Sequence, residues 1–187
     1  MDDKHTYRDV LRQVRKDLID CANSKSWKKK TLIFFISLNF QVLFLYRHTR
    51  YLQHKSKLHK LLVLVFSYIS KIVFQCHISE RARIGTNLKM PHPTGIVIGD
   101  DVLIGDNVTI YQQVTLGSHG KSGFERAYPI IEDNVVIYAG AKVIGNITIG
   151  RNAVIGANAV VIKDVPPNAV AVGVPAKTIE KRVDKIG

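Results

Sequence analysis

Residues 131–161 read IEDNVVIYAGAKVIGNITIGRNAVIGANAVV, and this stretch decides the fold. An aliphatic residue returns in it at every sixth position. The members of the series are Ile131, Ile137, Val143, Ile149, Ile155 and Val161. A period of six fits neither an amphipathic helix nor a simple alternating strand. It is typical of a short strand and a tight turn that repeat, with three hexads to one coil of a stacked solenoid.

The same period extends toward the N-terminus as far as Ile78. It slips by two residues at Ile96-Val97 and then resumes at Ile98. Gly, Asn and Asp between the aliphatic positions supply the unusual dihedral angles that tight turns need. The sequence therefore predicts a mainly β fold, a parallel β-helix over residues 77–187, preceded by a short α-helical region over residues 1–76.

Several segments of the repeat carry a family resemblance. They are HPTGIVIG at 92–99, VTLG at 114–117, GKSG at 120–123, AGAK at 139–142 and VGVPA at 172–176. Together they resemble the hexapeptide-repeat acyltransferases, and most of all their serine acetyltransferase branch. The resemblance implies a left-handed parallel β-helix, an enzyme that uses acetyl-CoA as co-substrate for O-acetylation, and a homotrimer with its active site between two subunits.

The formal net charge of this 187-residue chain is +12, and it is unevenly distributed. Residues 1–76 hold 15 basic and 5 acidic residues, whereas residues 77–187 hold 12 and 10. Such a surplus of basic residues suggests nucleic acid or an anionic membrane as a binding partner. No helix-turn-helix, zinc or RNA-binding signature accompanies it, so we expect no nucleic-acid partner. The only two cysteines, Cys21 and Cys76, exclude a disulfide framework and favour the cytoplasm.

Two apolar runs, residues 31–46 and 61–75, predict helices, as does the spacing over residues 5–20. Both runs contain polar groups and fall short of about 18–20 apolar residues, the length of a membrane span. Two interpretations stay open. The helices pack on each other, on the solenoid and on neighbouring subunits, or residues 25–76 contact the inner face of a membrane peripherally. In the second, lysines meet anionic headgroups and apolar side chains face the lipid. Those side chains are Phe34, Phe35, Phe40, Leu43, Phe44 and Leu45.

His92 is the candidate general base. It lies where the repeat slips, and a slip turns a side chain away from the core. Imidazole accepts a proton near neutral pH, as general-base catalysis requires. In the family, the histidine of this H-x-T-G segment takes the proton of the acceptor hydroxyl. His77 stands where the family has an aspartate that orients the base, so we also expect His77 in the active site.

The excursion at residues 117–130 interrupts the repeat, which usually marks function. The family carries a G-K-x-x-G-D-R-H-P loop there, and Lys121 and Arg126 match it as acceptor-binding residues. The histidine after the arginine is missing, and Pro91 replaces the aspartate before the catalytic histidine. Those positions handle the charged ends of an amino acid. We therefore expect the acceptor to be a sugar hydroxyl of a bacterial surface polysaccharide or its precursor, with serine O-acetylation in cysteine biosynthesis as the alternative.

For acetyl-CoA the resemblance implies a groove between adjacent subunits. Its expected residues are Ala139, Gly140, Ala157, Lys163 and Lys177, of which the small ones admit the pantetheine arm and the lysines lie near the nucleotide phosphates.

Two other classes of protein use this fold. A zinc hydratase of the γ-type carbonic anhydrase kind needs three converging histidines. His77, His92 and His119 lack the close pair of that site, so we expect no metal. A non-catalytic scaffold is the other class, and it predicts that His92→Ala changes no activity.

Overall fold

The computed structural model describes residues 6–24, 26–53, 55–120 and 127–180. Four helices come first, and they are α1 (Tyr7–Ala22), α2 (Trp27–Ile36), α3 (Leu38–Leu52) and α4 (Lys57–Ile72). Short strands follow. They are β1 (His77–Ile78), β2 (Arg83–Ile84), β3 (Val97–Ile98), β4 (Leu103–Ile104), β5 (Thr109–Ile110), β6 (Thr115–Gly117), β7 (Ile130–Ile131), β8 (Val136–Ile137), β9 (Lys142–Ile144), β10 (Thr148–Ile149), β11 (Val154–Ile155), β12 (Val160–Val161), β13 (Ala169–Val172) and β14 (Lys177–Glu180).

The strands form three sheets, which are the faces of a triangular prism. Their strand orders are β1-β3-β6-β9-β12, β10-β7-β4-β2 and β14-β13-β11-β8-β5. Every pair is parallel except β13 with β14. Successive coils stay in register, since Leu116 pairs with Ile98 on one side and Val143 on the other. The hexad residues point inward, and Ile137 and Ile155 are fully buried.

Asparagines make many of the turns between faces. Six of them have φ between 56° and 61°, and they are Asn87, Asn107, Asn134, Asn152, Asn158 and Asn168. Asparagine tolerates this left-handed region better than other residues with a Cβ. Stacked asparagines also bond along the prism, with the amide of Asn87 donating to Oδ1 of Asn107 at 2.9 Å. The repeat therefore specifies both the core and the corners.

The apolar run at residues 31–46, expected as one helix, belongs to two. α2 and α3 meet at Ser37 with a bend of 79°. The Ser37 hydroxyl caps α3 by accepting from the Phe40 N–H at 3.3 Å. The Gln41 amide donates to the carbonyl of Phe35 at 2.7 Å, which satisfies the end of α2. Side-chain capping at the junction explains the break.

The third helix closes the first coil of the solenoid. The N–H groups of the first coil donate to carbonyls of the second coil, as the His77 N–H does to the Ile96 carbonyl at 2.9 Å. No coil precedes the first among the described strands, so the carbonyls of the first coil need donors from elsewhere. The Arg47 guanidinium donates to the carbonyls of Ile84 and Gly85, both at 2.8 Å. Further donors act on the same coil. Tyr46 and Arg50 bond to the Ala82 carbonyl, and Gln53 to that of Glu80.

Arg47 is also held from the other side by α1. Its Nε lies 3.0 Å from Oδ2 of Asp17, and both side chains are almost fully buried. Burial raises the pKa of Asp17, although the Arg47 charge and hydrogen bond oppose the rise. This buried pair links α1, α3 and the first coil.

Among the described helices, none is long and apolar enough to cross a membrane alone, and the bent α2–α3 pair meets that test only by combined length and composition. Of the side chains expected to face lipid in the second interpretation, Phe40 and Leu43 are instead buried. Phe40 packs against Phe34 and Phe44, and Leu43 belongs to the same hydrophobic core as the solenoid residues. Phe34 and Phe35 are exposed.

Candidate active site

One edge of the prism gathers four of the nine predicted site residues, namely His92, Ala139, Gly140 and Ala157. It joins the third sheet to the first and consists of residues 91–96, 111–114, 138–141 and 156–159. Backbone bonds tie these turns together along the axis. The Gln113 N–H donates to the Thr94 carbonyl at 3.0 Å, and the Gly140 N–H donates to that of Gln112 at 2.9 Å. We call this the His92 edge.

The turn that carries His92 is fixed from three sides. The Gly95 N–H donates to the Gln75 carbonyl at 2.7 Å, and Gly95 has a φ of +73°. A Cβ there would lie 3.1 Å from Cγ of Gln113, so the turn admits glycine best. From the helical region, Oδ1 of Asn39 accepts from the Met90 N–H at 3.1 Å. The histidine therefore sits on a braced turn.

His92 itself is exposed, and among the described residues its ring has no hydrogen-bond partner. Such a ring is free to contact an acceptor hydroxyl. His77 begins β1 and pairs in register with Val97, which follows the His92 turn. It is half-buried, and burial together with the charge of Lys71 lowers its pKa, against the opposing carboxylates of Glu80 and Asp100. His77 is thus favoured in its neutral form.

The predicted small residues of the acetyl-CoA groove lie further along the same edge. Ala139 and Gly140 stand two coils beyond His92, and Ala157 stands three, or about 10 and 14 Å at the spacing of neighbouring strands. The rings of Tyr111 and Tyr138 stack on the His92 edge, with their centroids 5.2 Å apart. The structure therefore brings His92 and the three small residues into one column.

The other predicted residues lie elsewhere. Lys163 is exposed on the turn after β12, at the edge between the first and second sheets. Lys177 is exposed at the start of β14, opposite Val172 in the third sheet. Lys121 and Arg126 lie outside the described residues. Within the described residues, the structure therefore places Lys163 and Lys177 outside the turns of the His92 edge.

A cleft of about 1000 Å³ adjoins the His92 turn. It lies between α1, the α2–α3 bend and the segment that ends at Pro91, and it holds both Asp20 and Lys89. Oδ2 of Asp20 is buried, and in the described part of the chain it has no hydrogen-bond partner. A different cleft, of about 850 Å³, lies between α3 and the second sheet and contains none of the predicted site residues.

Within the described ranges, no three His, Cys, Asp or Glu side chains come close enough together to hold a metal ion.

Sequence reasoning missed two residues of this site. Asn39 braces the His92 turn across 51 positions of sequence. Gln112 lies on the His92 edge with its Oε1 buried, and the described residues offer that atom no partner. The polar Gln112-Gln113 pair, at a corner where other coils have small residues, was the available signal for the second.

Comparison with known proteins gives a consistent result. The family described as "Bacterial transferase hexapeptide (six repeats)" matches residues 128–163. The serine acetyltransferase of Buchnera aphidicola subsp. Schizaphis graminum is 43% identical over 173 residues, which cover 92% of this chain and 66% of that protein. Other curated serine acetyltransferases match at 40–46% identity. The chain spans between 40% and 66% of the length of these curated relatives.

Solved structures agree with the fold. Soybean serine acetyltransferase complexed with serine matches with a TM-score of 0.79 and 35% identity, over 91% of this chain and 69% of that one. The serine acetyltransferase of Brucella abortus strain S19, in complex with coenzyme A, matches with a TM-score of 0.79 and 32% identity, over 91% and 68%. The predicted left-handed β-helix with a helical N-terminal region is confirmed.

The expected preference for a sugar acceptor is wrong. The curated relatives quoted above are named serine acetyltransferase, and one of the matching structures holds serine. The preference depended on Pro91 and on the missing loop histidine. Losing two polar groups weakens one way of binding an amino acid, but it creates no contact that would select a sugar.

Proposed function

Because the chain belongs to the hexapeptide-repeat acyltransferase family, on its serine acetyltransferase branch, we propose that it transfers the acetyl group of acetyl-CoA to the hydroxyl of L-serine. The observation that carries this proposal is 43% identity over 92% of the chain to a protein of that name. The braced His92 turn on an edge lined with small residues supports it.

In the proposed reaction His92 is the general base. One ring nitrogen takes the proton of the serine hydroxyl while that oxygen attacks the thioester carbonyl carbon. The C–S bond then breaks, and the CoA thiolate leaves with a proton returned from the imidazolium. General-base assistance of this kind contributes about 10²–10⁴-fold to the rate. His77, neutral and one strand away, is proposed to contact the acceptor rather than to stabilise the imidazolium, since it carries no negative charge.

The charged ends of serine also find complements beside the His92 turn. The cleft next to Pro91 holds the Asp20 carboxylate and the Lys89 ammonium. These two groups suit an amino group and a carboxylate, respectively. They offer a substitute for the aspartate that Pro91 replaces. Lys121 and Arg126 remain proposed acceptor-binding residues.

We propose that the working unit is a homotrimer. His92, Ala139, Gly140 and Ala157 share one edge, while Lys163 lies at another. A threefold arrangement sets one edge of each prism beside a different edge of its neighbour, which would complete the acetyl-CoA groove. Lys163 and Lys177 are proposed to meet the nucleotide phosphates there.

The chain is proposed to form two domains, residues 1–76 and 77–187, since α4 ends at Ile72 and β1 begins at His77. The cytoplasm is proposed as the compartment, because Cys21 and Cys76 are both free thiols.

The test is acetyl transfer by the full chain, followed as release of the CoA thiol. L-serine is compared with glycerol, free hexoses and an acetylation-competent oligosaccharide at equal concentration. The proposal predicts saturable turnover with L-serine and a product whose mass equals that of O-acetylserine. Faster turnover with a sugar would rule out serine as the preferred substrate. No turnover with any of these hydroxyl compounds would rule out the proposed acetyl transfer.

A further inference from the structure

The chain between Cys21 and Ser79 has ten Lys or Arg residues and no Asp or Glu. It comprises α2, α3 and α4. Two of the ten, Arg47 and Arg50, are engaged with the first coil of the solenoid. Lys28, Lys29 and Lys30 lie together at the start of α2, and none of them has an ion-pair partner among the described residues. The charge of this segment is therefore one-signed, and part of it is concentrated at one helix end.

The opposite end of α2 is apolar and exposed. None of its ten residues is buried. Phe35 is 70% exposed and Ile36 is 66% exposed, beside the exposed side chains of Leu32 and Leu38 at the bend. We call these four residues the α2 tip. At 1.5 Å per residue, the tip at Phe35 lies about 9 Å beyond Lys29 along the helix axis.

The α2 tip is held rigidly. Phe34 packs on Phe40 and Phe44 from α3, with ring centroids 5.5 and 6.0 Å apart. The Gln41 amide fixes the Phe35 carbonyl at 2.7 Å. The exposure of Phe35 and Ile36 is therefore a property of the folded helix pair, because its own aromatic cluster braces the bend from behind.

We propose that the α2 tip inserts into an anionic lipid membrane, with Lys28, Lys29 and Lys30 at the level of the headgroups. The apolar residues lie at one end of α2 and the lysines at the other, so the helix would enter end-on. The separation of about 9 Å falls within the roughly 5–10 Å to which interfacial apolar side chains are buried. Trp27, 72% exposed beside the lysines, sits at the depth where tryptophan is enriched. Charge complementarity favours an anionic membrane over a second copy of this chain as the partner of the α2 tip. Two such surfaces placed face to face would set lysines against lysines.

Binding of the full chain to vesicles tests the inference. Flotation is measured with phosphatidylcholine vesicles and with vesicles that contain about one third phosphatidylglycerol. We expect binding to the second kind only, and we expect added salt to weaken it. Replacing Lys28, Lys29 and Lys30 with Gln should lower the partition coefficient about 100-fold, because each lysine near an anionic surface contributes a factor of roughly 5.

A matched control removes the same charge elsewhere. Arg8→Gln, Arg15→Gln and Lys16→Gln delete three exposed cations from α1 and leave α2 unchanged. We expect that triple variant to keep most of its vesicle binding. Equal losses in the two triple variants would overturn the inference, because net charge alone would then explain the attraction.

The contribution of the apolar side chains to membrane binding is tested by Leu32→Ser with Phe35→Ser, two residues of the α2 tip that do not line the cleft beside Pro91. The control is Ile179→Ser on the exposed face of β14. We expect at least a tenfold loss for the double variant and none for the control. The oligomeric state of the double variant is measured in parallel. A change of oligomeric state with unchanged vesicle binding would show that the tip contacts another copy, and it would overturn the membrane assignment. L-serine turnover without lipid should be unaffected, which separates this test from that of the proposed function.

Discussion

Replacing Arg47 with leucine should strongly destabilise the protein. The guanidinium lies 3.0 Å from Asp17, and it donates at 2.8 Å to the carbonyls of Ile84 and Gly85. Removing one partner of a buried ion pair costs about 3–5 kcal/mol, because the other charge stays buried without compensation. The buried carbonyl of Ile84 and the partly buried one of Gly85 also lose their donor, so we expect a loss of about 4 kcal/mol in the free energy of unfolding. That is a large share of the roughly 5–15 kcal/mol typical of a domain.

Urea denaturation followed by far-ultraviolet circular dichroism measures this loss. The single tryptophan, Trp27, is too exposed to report on the core. Arg12→Leu is the matched control, since Arg12 pairs with Asp9 at 3.4 Å while remaining 81% exposed. Exposed pairs of this kind contribute about 0–1 kcal/mol. A loss below about 1 kcal/mol for Arg47→Leu, or equal losses for both variants, would refute the proposed role of Arg47 in closing the solenoid.

The same variant has a predicted pH dependence. Burial already raises the pKa of Asp17 above its ordinary 3.8, so the folded state holds that proton more tightly than the unfolded state does. Stability from this group therefore falls as pH rises through the window above 3.8. Without Arg47 the pKa rises further, and the deficit of Arg47→Leu should shrink as the pH is lowered toward that window. The additional variant Asp17→Leu in the Arg47→Leu background should recover part of the loss at neutral pH.

Three further substitutions have defined outcomes. Ile137→Ala empties a fully buried position in the middle coil, and it should lower the unfolding free energy by about 2–5 kcal/mol in urea titration. Gly140→Ala should lower the melting temperature more than Gly120→Ala does. Both have a φ above +70°, but among the described residues only a Cβ at Gly140 would meet a neighbour, namely Oδ1 of Asn158. Equal shifts would show that the left-handed backbone alone matters. His77→Gln should flatten the acid side of the stability curve. The lowered pKa of His77 gives stability that is complete above its ordinary 6.5 and lost as pH falls toward the folded value. An unchanged slope of the urea midpoint between about pH 7.5 and pH 5 would contradict this.

The period of six was sufficient to predict the solenoid, because each coil buries its aliphatic residues locally and repeats the same turn. Val143 and Ile149 are fully buried as the repeat required. The helices were also foreseeable from spacing, but the break at Ser37 was not. It depends on side-chain capping by Ser37 and Gln41, and an apolar run gives no sign of the 79° bend.

The site was predictable only where it follows the repeat. Counting hexads from Ala139 and Ala157 already places them on one corner, and the structure adds the His92 turn to that corner. The brace from Asn39 and the pairing of Arg47 with Ile84 join residues 51 and 37 positions apart. Such contacts depend on how α3 packs, and a single sequence carries no periodic signal for them.

The most direct test of the proposed function is the L-serine-dependent release of CoA by the full chain and by His92→Asn. Asparagine keeps a polar side chain but cannot take up the proton, so kcat/KM should fall about 10²–10⁴-fold with the fold unchanged by circular dichroism. His59→Asn, on α4 and hydrogen-bonded to Ser56, is the matched control and should retain activity. Wild-type turnover with L-serine together with the loss in His92→Asn is the predicted result. Equal turnover by His92→Asn and the wild type would contradict the assignment of His92 as the general base.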